Sequence, residues 1–140
     1  MRILFDTNVL LDVLLAREPF VEVSATLFDA NVRGAVDGVV GATTVTTIFY
    51  LVARERRAAT ARRHVKELLR LFDVAPVSRR VLVRAMDAGF EDYEDAVLAA
   101  AADGAGCDGI VTRNETDFGS AALPVYTPSE LLTILDLQAE

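Results

Sequence analysis

The sequence has almost none of the side chains on which imidazole or thiolate chemistry depends. Its 140 residues include one histidine, His64, one cysteine, Cys107, and no tryptophan. A lone cysteine excludes an internal disulfide and a multi-cysteine zinc site. A lone histidine argues against Ser-His-Asp or Cys-His catalysis and against a zinc hydrolase. Carboxylates are therefore left to carry any chemistry.

Lysine is equally scarce, since Lys66 is the only one and arginines supply the other positive side chains. The formal net charge of −7 argues against a broad surface that coats nucleic acid. The arginines are concentrated in residues 53–70 and 78–85. They suit bidentate contacts with phosphate. The alternative is that they form the solvated faces of two helices.

No apolar run approaches the roughly 20 residues that a membrane span needs. Asp6 and Asp12 interrupt the N-terminal apolar stretch, which therefore does not resemble a signal peptide. Hydrophobic residues make up 52% of the chain, too many for a disordered protein. We expect a soluble, cytoplasmic protein that folds as one domain over residues 1–140 and does not bind a membrane.

Short apolar runs alternate with helical periodicities along the chain. The runs predict strands at 2–5, 34–41, 73–76, 109–112 and 124–127. The helical spacing predicts helices from Thr7, at 20–32, at 43–55 with a threonine as its cap, at 58–72, at 78–88, from 92 to about 105, and at 128–135. This order predicts an α/β fold with a central parallel sheet of four to five short strands and right-handed crossovers.

The segment "FEDYEDAV" (90–97) places four carboxylates within five positions, before an apolar helix. Helix capping is one explanation, with Asp92 as N-cap and Glu94 and Asp95 placed favourably against the helix dipole. A divalent metal ion is the other, because several oxygen ligands would offset their repulsion when it binds. The segment alone leaves both explanations open.

Other polar residues are predicted to lie at the same edge of the sheet. Asp6 ends the first strand, Thr112 ends the strand at 109–112, and Asn114 and Asp117 follow it. The carboxyl ends of parallel strands meet at one edge, so these residues could converge with the start of the "DYED" helix. Carboxylates without histidine or thiolate match Mg²⁺ or Mn²⁺, and phosphodiester hydrolysis is the natural chemistry of such a site. Each acid taken singly could instead cap a helix or stabilise a loop.

Three ordered motifs resemble those of the PIN domain family, most closely the VapC-type toxins of bacterial toxin–antitoxin pairs. They are "LFDTNVLLDVLL", "DYEDAVLAAAA" and "DGIVTRNETDF" followed by "LPVYTPSELL", and they span nearly the whole chain. The resemblance implies a three-layer fold, Mg²⁺- or Mn²⁺-dependent endoribonuclease activity, a homodimer and inhibition by a cognate antitoxin. By the same motifs, Asp6, Asp95 and Asp117 match the catalytic acids, and Thr112 and Asn114 match polar positions beside the last of them.

One position departs from the pattern of this family. The family usually has a glutamate on the third helix, where this sequence has Thr47, and a subgroup of PIN-like proteins shares the "TT" variation. Asp92 or Glu94 could compensate for the missing charge. The alternatives are a weaker second metal, a one-metal mechanism or lost catalysis.

The first hypothesis is thus a ribonuclease whose Mg²⁺ or Mn²⁺ is held by Asp6, Asp95 and Asp117, with Asp92 assisting. Thr112 and Asn114 would orient water or ligands, Thr47 and Glu94 would support the site, and Arg113, Arg54 and Arg57 would contact RNA. A second hypothesis is a catalytically silent PIN fold that binds a partner. A third is an aspartyl-phosphate phosphatase, although Asn8 stands where that chemistry usually has a second aspartate. Leu14, Leu15 and Phe20 are predicted to be exposed and to accept a partner helix.

Overall fold

A computed structural model of the chain, which describes residues 1–139, consists of a parallel sheet between two layers of helices. The strands are β1 Arg2–Phe5, β2 Asp37–Gly41, β3 Asp73–Ala75, β4 Gly109–Val111 and β5 Val125–Tyr126. The α-helices are α1 Thr7–Leu14, α2 Val21–Val32, α3 Ala42–Glu55, α4 Ala58–Leu71, α5 Arg79–Met86, α6 Tyr93–Gly104 and α7 Pro128–Ala139, and Glu115–Phe118 forms a short 3₁₀ helix. The predicted α/β fold with a flanked parallel sheet is confirmed.

Successive residues of the strands point to opposite faces of the sheet, which gives the fold two cores. Ile3 and Phe5 of β1 face a core built with α1, α2, α3, α4 and α7. Leu4, between them, faces a second core built mainly with α5 and α6. All three side chains are fully buried, as expected for a strand covered on both sides.

The order of the strands, β3-β2-β1-β4-β5, contains one reversal. The chain steps outward from β1 to β2 and β3, and then returns to place β4 on the other side of β1. A crevice forms beyond the carboxyl ends of the strands where the order reverses, and ligands bind there in open α/β sheets. Asp6 follows β1 and Thr112 follows β4, so both lie at this crevice.

The beginning of α3 differs from the prediction. The predicted threonine cap is wrong, because β2 leads directly into α3 and Gly41 occupies the N-cap position without a side-chain hydrogen bond. The Thr44 hydroxyl instead pairs with that of Thr7, at 2.9 Å. β2 also begins later than predicted, after a turn at Gly34 with φ 80°, and the loop at 113–123 contains the 3₁₀ helix.

Two of the three residues that were predicted to bind a partner helix pack inside the fold instead. Leu15 is buried, and Leu14 packs against the first core. α2 packs against α1 and covers this end of it. Phe20 is exposed on one side, and the Arg113 guanidinium lies over its ring, 4.2 Å from the centroid. No helix of the described part of the chain is long and apolar enough to cross a membrane.

Candidate active site

Asp6 lies between β1 and α1 and is 5% exposed. Its Oδ1 accepts a hydrogen bond from the Thr7 amide at 2.8 Å, so it caps α1. Its Oδ2 accepts one from the Thr112 hydroxyl at 2.8 Å. Burial raises the pKa of Asp6, and repulsion from Asp117 adds to the rise, although these hydrogen bonds and the positive charge of Arg113 oppose it. Capping and a place in the site are therefore compatible for this residue.

Thr112 connects Asp6 to the loop after β4. The residue is fully buried, and its hydroxyl donates to Asp6 while accepting from the Asn114 amide at 3.0 Å. Its own amide donates to the Tyr126 carbonyl of β5 at 2.9 Å. The Thr112 hydroxyl therefore fixes the Asp6 carboxylate, after β1, relative to the start of the loop after β4.

The first turn of α6 brings further carboxylates to the crevice. Asp92 is the N-cap, and its Oδ1 accepts from the Asp95 amide at 3.0 Å, so the capping explanation holds for Asp92. Asp95 is half-buried, and its pKa is raised to about 7 by burial first, then by repulsion from Asp92, Asp6, Asp117 and Glu94. Such mutual repulsion arises only between neighbouring charges, so capping alone does not explain the cluster.

One cavity of about 310 Å³ is lined by seven of the eleven predicted site residues, including all four predicted metal ligands. The side chains that line it come from the ends of β1 and β4, the 3₁₀ helix, and the facing sides of α1, α3 and α6. They are Asp6, Thr7, Asn8, Leu11, Thr47, Leu51, Asp92, Glu94, Asp95, Leu98, Asn114, Asp117 and Phe118. Thr112 is not in the lining, because it is buried behind Asp6. A second cavity of about 380 Å³ shares Asp92, Asp95 and Asp117 and continues past Glu91.

The oxygen atoms that line the cavity are of the types that bind a hard divalent cation. They are carboxylate, amide and hydroxyl oxygens, which Mg²⁺ and Mn²⁺ prefer. Within residues 1–139, no three His, Cys, Asp or Glu side chains are placed closely enough to hold an ion as they stand. Glu94 and Asp117 are exposed side chains that can rotate inward at little cost, whereas Asp92 would give up its cap of α6 to do so. The residues therefore fit such an ion if these side chains move toward Asp6 and Asp95.

Helix α3 offers the cavity a hydroxyl where an acid was expected. Thr47 lines the cavity, and its hydroxyl donates to the Thr43 carbonyl of its own helix at 3.0 Å. The only acid in α3 is Glu55, its last residue. Helix α3 therefore contributes no carboxylate to this cavity.

The arginines predicted to bind RNA do not line the cavity. The Arg113 guanidinium is held by Asp12, with Nε 2.8 Å from Oδ2 and Nη2 3.3 Å from Oδ1. A contact of Arg113 with phosphate therefore has no direct support. Arg54 and Arg57 are exposed, at the end of α3 and before α4.

Asp12 is the residue that the sequence reasoning missed. The sequence shows it only as an interruption of the N-terminal apolar stretch, yet its side chain is fully buried. The available signal was its place three residues after Val9, on the buried side of α1. A charge on such a face needs a partner, but the sequence does not say which arginine provides it.

Comparisons with known proteins agree with this architecture. A family profile described as the PIN domain matches residues 2–116. FitAcB from Neisseria gonorrhoeae aligns with 23% identity and a TM-score of 0.70, over 91% of this chain and 98% of that one. VapBC2 from Rickettsia felis, bound to a DNA fragment from its promoter, aligns with 12% identity and a TM-score of 0.69, over 91% and 98%.

A third solved structure is VapC20 from Mycobacterium tuberculosis, described as a toxin that cleaves the sarcin–ricin loop. It aligns with 14% identity and a TM-score of 0.67, over 86% of this chain and 95% of that one. At such identities these likenesses show a shared fold. No curated protein matches the sequence. Because the family profile covers most of the chain, from β1 into the 3₁₀ helix, this protein belongs to the PIN domain family.

Proposed function

We propose that this protein is a metal-dependent endoribonuclease that hydrolyses phosphodiester bonds of RNA. One observation carries the proposal: Asp6, Asp95 and Asp117 come from three separate elements and line one cavity at the reversal of the strand order. Burial, and repulsion from neighbouring acids that include Asp6 and Asp117, raise the pKa of Asp95 to about 7. A concentrated negative charge of this kind favours a divalent cation.

In this proposal Asp6, Asp95 and Asp117 hold Mg²⁺ or Mn²⁺, and Asp92 assists. The bound ion would lower the pKa of a water molecule and neutralise charge at the phosphate. Thr112 keeps the Asp6 carboxylate in place by donating to Oδ2. Asn114 also lines the cavity, where its side-chain amide can donate a hydrogen bond to, or accept one from, water or a substrate.

We further propose that the protein is the toxin of a toxin–antitoxin pair, with a cognate antitoxin as its partner and a homodimer as its assembly. The support is similarity of fold, since FitAcB, VapBC2 and VapC20 share this architecture. The exposed arginines of α3, α4 and their connection would guide RNA toward the acids. They are Arg54, Arg56, Arg57, Arg62 and Arg63.

Cleavage of a total-RNA preparation tests the nuclease proposal. Wild-type protein with Mn²⁺ or Mg²⁺ should cut, and EDTA or Asp6→Asn should abolish cutting. Asp29→Asn is the matched control, because Asp29 is an exposed acid of α2 paired with Arg33 at 3.0 Å. Intact RNA after incubation with folded wild-type protein and either metal would refute the proposal.

A catalytically silent binding module is the second candidate, favoured by the bond between the Thr47 hydroxyl and its own helix. It predicts a folded protein that binds a partner but shows little or no heat on titration with Mn²⁺. The aspartyl-phosphate alternative has less support, since Lys66 is exposed on α4 and does not line the cavity.

A further inference from the structure

Helices α3 and α6 line the cavity with matched spacings. α3 contributes Thr47 and Leu51, and α6 contributes Glu94 and Leu98. Residues four apart lie on the same side of a helix. The side of α6 that carries Glu94 is therefore the side that borders the cavity together with the Thr47 side of α3.

A close contact fixes α6 against the start of α3. A Cβ atom placed on Gly41, the N-cap of α3, would lie 2.5 Å from Leu98 Cδ2. A side chain at position 41 would overlap Leu98 in its present rotamer, so α6 packs directly on the junction of β2 and α3. Glu94 lies one helical turn before Leu98, on the same side of α6.

The carboxylate of Glu94 is uncommitted, unlike that of Asp92. Asp92 uses Oδ1 to cap α6. Glu94 is exposed, and no hydrogen bond or ion pair to another side chain holds it in the part of the chain that the structure describes. Its longer side chain also has more reach across the cavity than an aspartate has. Of the two acids that could replace the missing charge, Glu94 is the better placed.

We propose that Glu94, from the first turn of α6, supplies the fourth carboxylate ligand of the metal site in place of the acid that α3 lacks at Thr47. The inference rests on the proposed metal-dependent function and names one more residue of that site. With Asp6, Asp95 and Asp117, Glu94 restores four negative charges around the cation, and charge count is a main determinant of affinity for such ions.

Calorimetric titration with Mn²⁺ tests the inference without measuring catalysis. Even a residue that only supports a metal ligand changes affinity by about 10–100-fold when removed, so Glu94→Gln should weaken Mn²⁺ binding by about tenfold or more. Glu91→Gln is the matched control, because Glu91 lines only the neighbouring cavity and loses the same charge. It should stay within about twofold of wild type, as expected for an exposed charge outside the site. Circular dichroism checks that each variant is folded.

A charge exchange makes the test specific for the position. Thr47→Glu combined with Glu94→Gln moves the fourth carboxylate from α6 to α3, and the double variant should recover affinity to within about threefold of wild type. If Glu94→Gln and Glu91→Gln bind Mn²⁺ with equal affinity, Glu94 is not a ligand. If Asp6→Asn loses Mn²⁺ binding in the same experiment, the metal site itself is still supported. No Mn²⁺ binding by wild-type protein would overturn both proposals.

Discussion

Asp12 of α1 and Arg113 of the loop after β4 form an ion pair, with Arg113 Nε 2.8 Å from Asp12 Oδ2. The two residues are 101 positions apart in the sequence. The Asp12 side chain is fully buried, and Arg17 reaches it less closely, at 3.9 Å. Arg113 stands between Thr112 and Asn114, so the pair anchors the loop that carries two proposed site residues.

Arg113→Met should destabilise the protein by about 3 kcal/mol, because it leaves a buried carboxylate without its main partner. Arg33→Met, which breaks the exposed pair with Asp29, should change stability little. Urea denaturation measures both. A double replacement, Asp12→Leu with Arg113→Met, removes both charges and should cost less than Arg113→Met alone. The opposite order would contradict the buried-charge explanation.

Asp95→Asn should stabilise the metal-free protein at high pH. The pKa of Asp95 is about 7 in the folded state against 3.8 as the ordinary value, so folding favours the protonated carboxyl. Wild-type stability therefore falls as the pH rises through this interval, and the variant escapes that loss.

With EDTA present, Asp95→Asn should melt above wild type at pH 8 by about 3–6 °C, equivalent to roughly 1 kcal/mol after allowance for solvent screening. The difference should shrink toward pH 4. Glu18→Gln, at an exposed position, is the control and should show no such trend. A difference in melting temperature between Asp95→Asn and wild type that stays constant from pH 4 to pH 8 would refute the raised pKa of Asp95.

Gly41→Ala should destabilise the protein by about 1–3 kcal/mol, because the new Cβ would overlap Leu98. Shortening the neighbour in Gly41→Ala/Leu98→Ala should make the effect of the alanine at position 41 much smaller. Gly104→Ala is the control, since a Cβ there meets nothing within 4 Å. Chemical denaturation of wild type, Gly41→Ala, Leu98→Ala and the double variant gives the coupling, and additive effects would show that the two sites are independent.

Thr112→Val should lower RNA cleavage and destabilise the fold by about 1–3 kcal/mol. It removes the donor to Asp6 and leaves the Asn114 amide without its acceptor. Thr112→Ser keeps the hydroxyl and should retain most of the cleavage activity, which can be measured on the same RNA preparation. Loss of activity in the serine variant, with activity retained in the valine variant, would point to packing of the methyl group instead.

The parts of the site that the sequence could predict are those fixed by topology. Asp6 ends an apolar run, and the "DYED" helix leads into the strand before Asp117, so a parallel sheet brings these acids to one edge. The proposed metal ligands follow from that rule, and their roles stay predictions.

The errors concern contacts that only the assembled fold determines. Nothing local marks Arg113 as the partner of Asp12. The burial of Leu15 depends on α2 packing over α1. The threonine cap of α3 fails because β2 runs straight into the helix, so Gly41 takes that position. In each case the contact depends on how another element of the fold packs, and the residues around the position do not show this in the sequence.

The hydrogen bond between Thr112 and Asp6 joins residues 106 positions apart. Because Thr112 follows β4, which pairs with β1, Asp6 gains this hydrogen bond only after the segments between the two strands have been synthesised. A nascent chain that has not yet exposed Asp117 outside the ribosome lacks one of the proposed ligands. The late positions of Asp95 and Asp117 in the sequence therefore delay the proposed nuclease activity until β4 and the loop after it have been made.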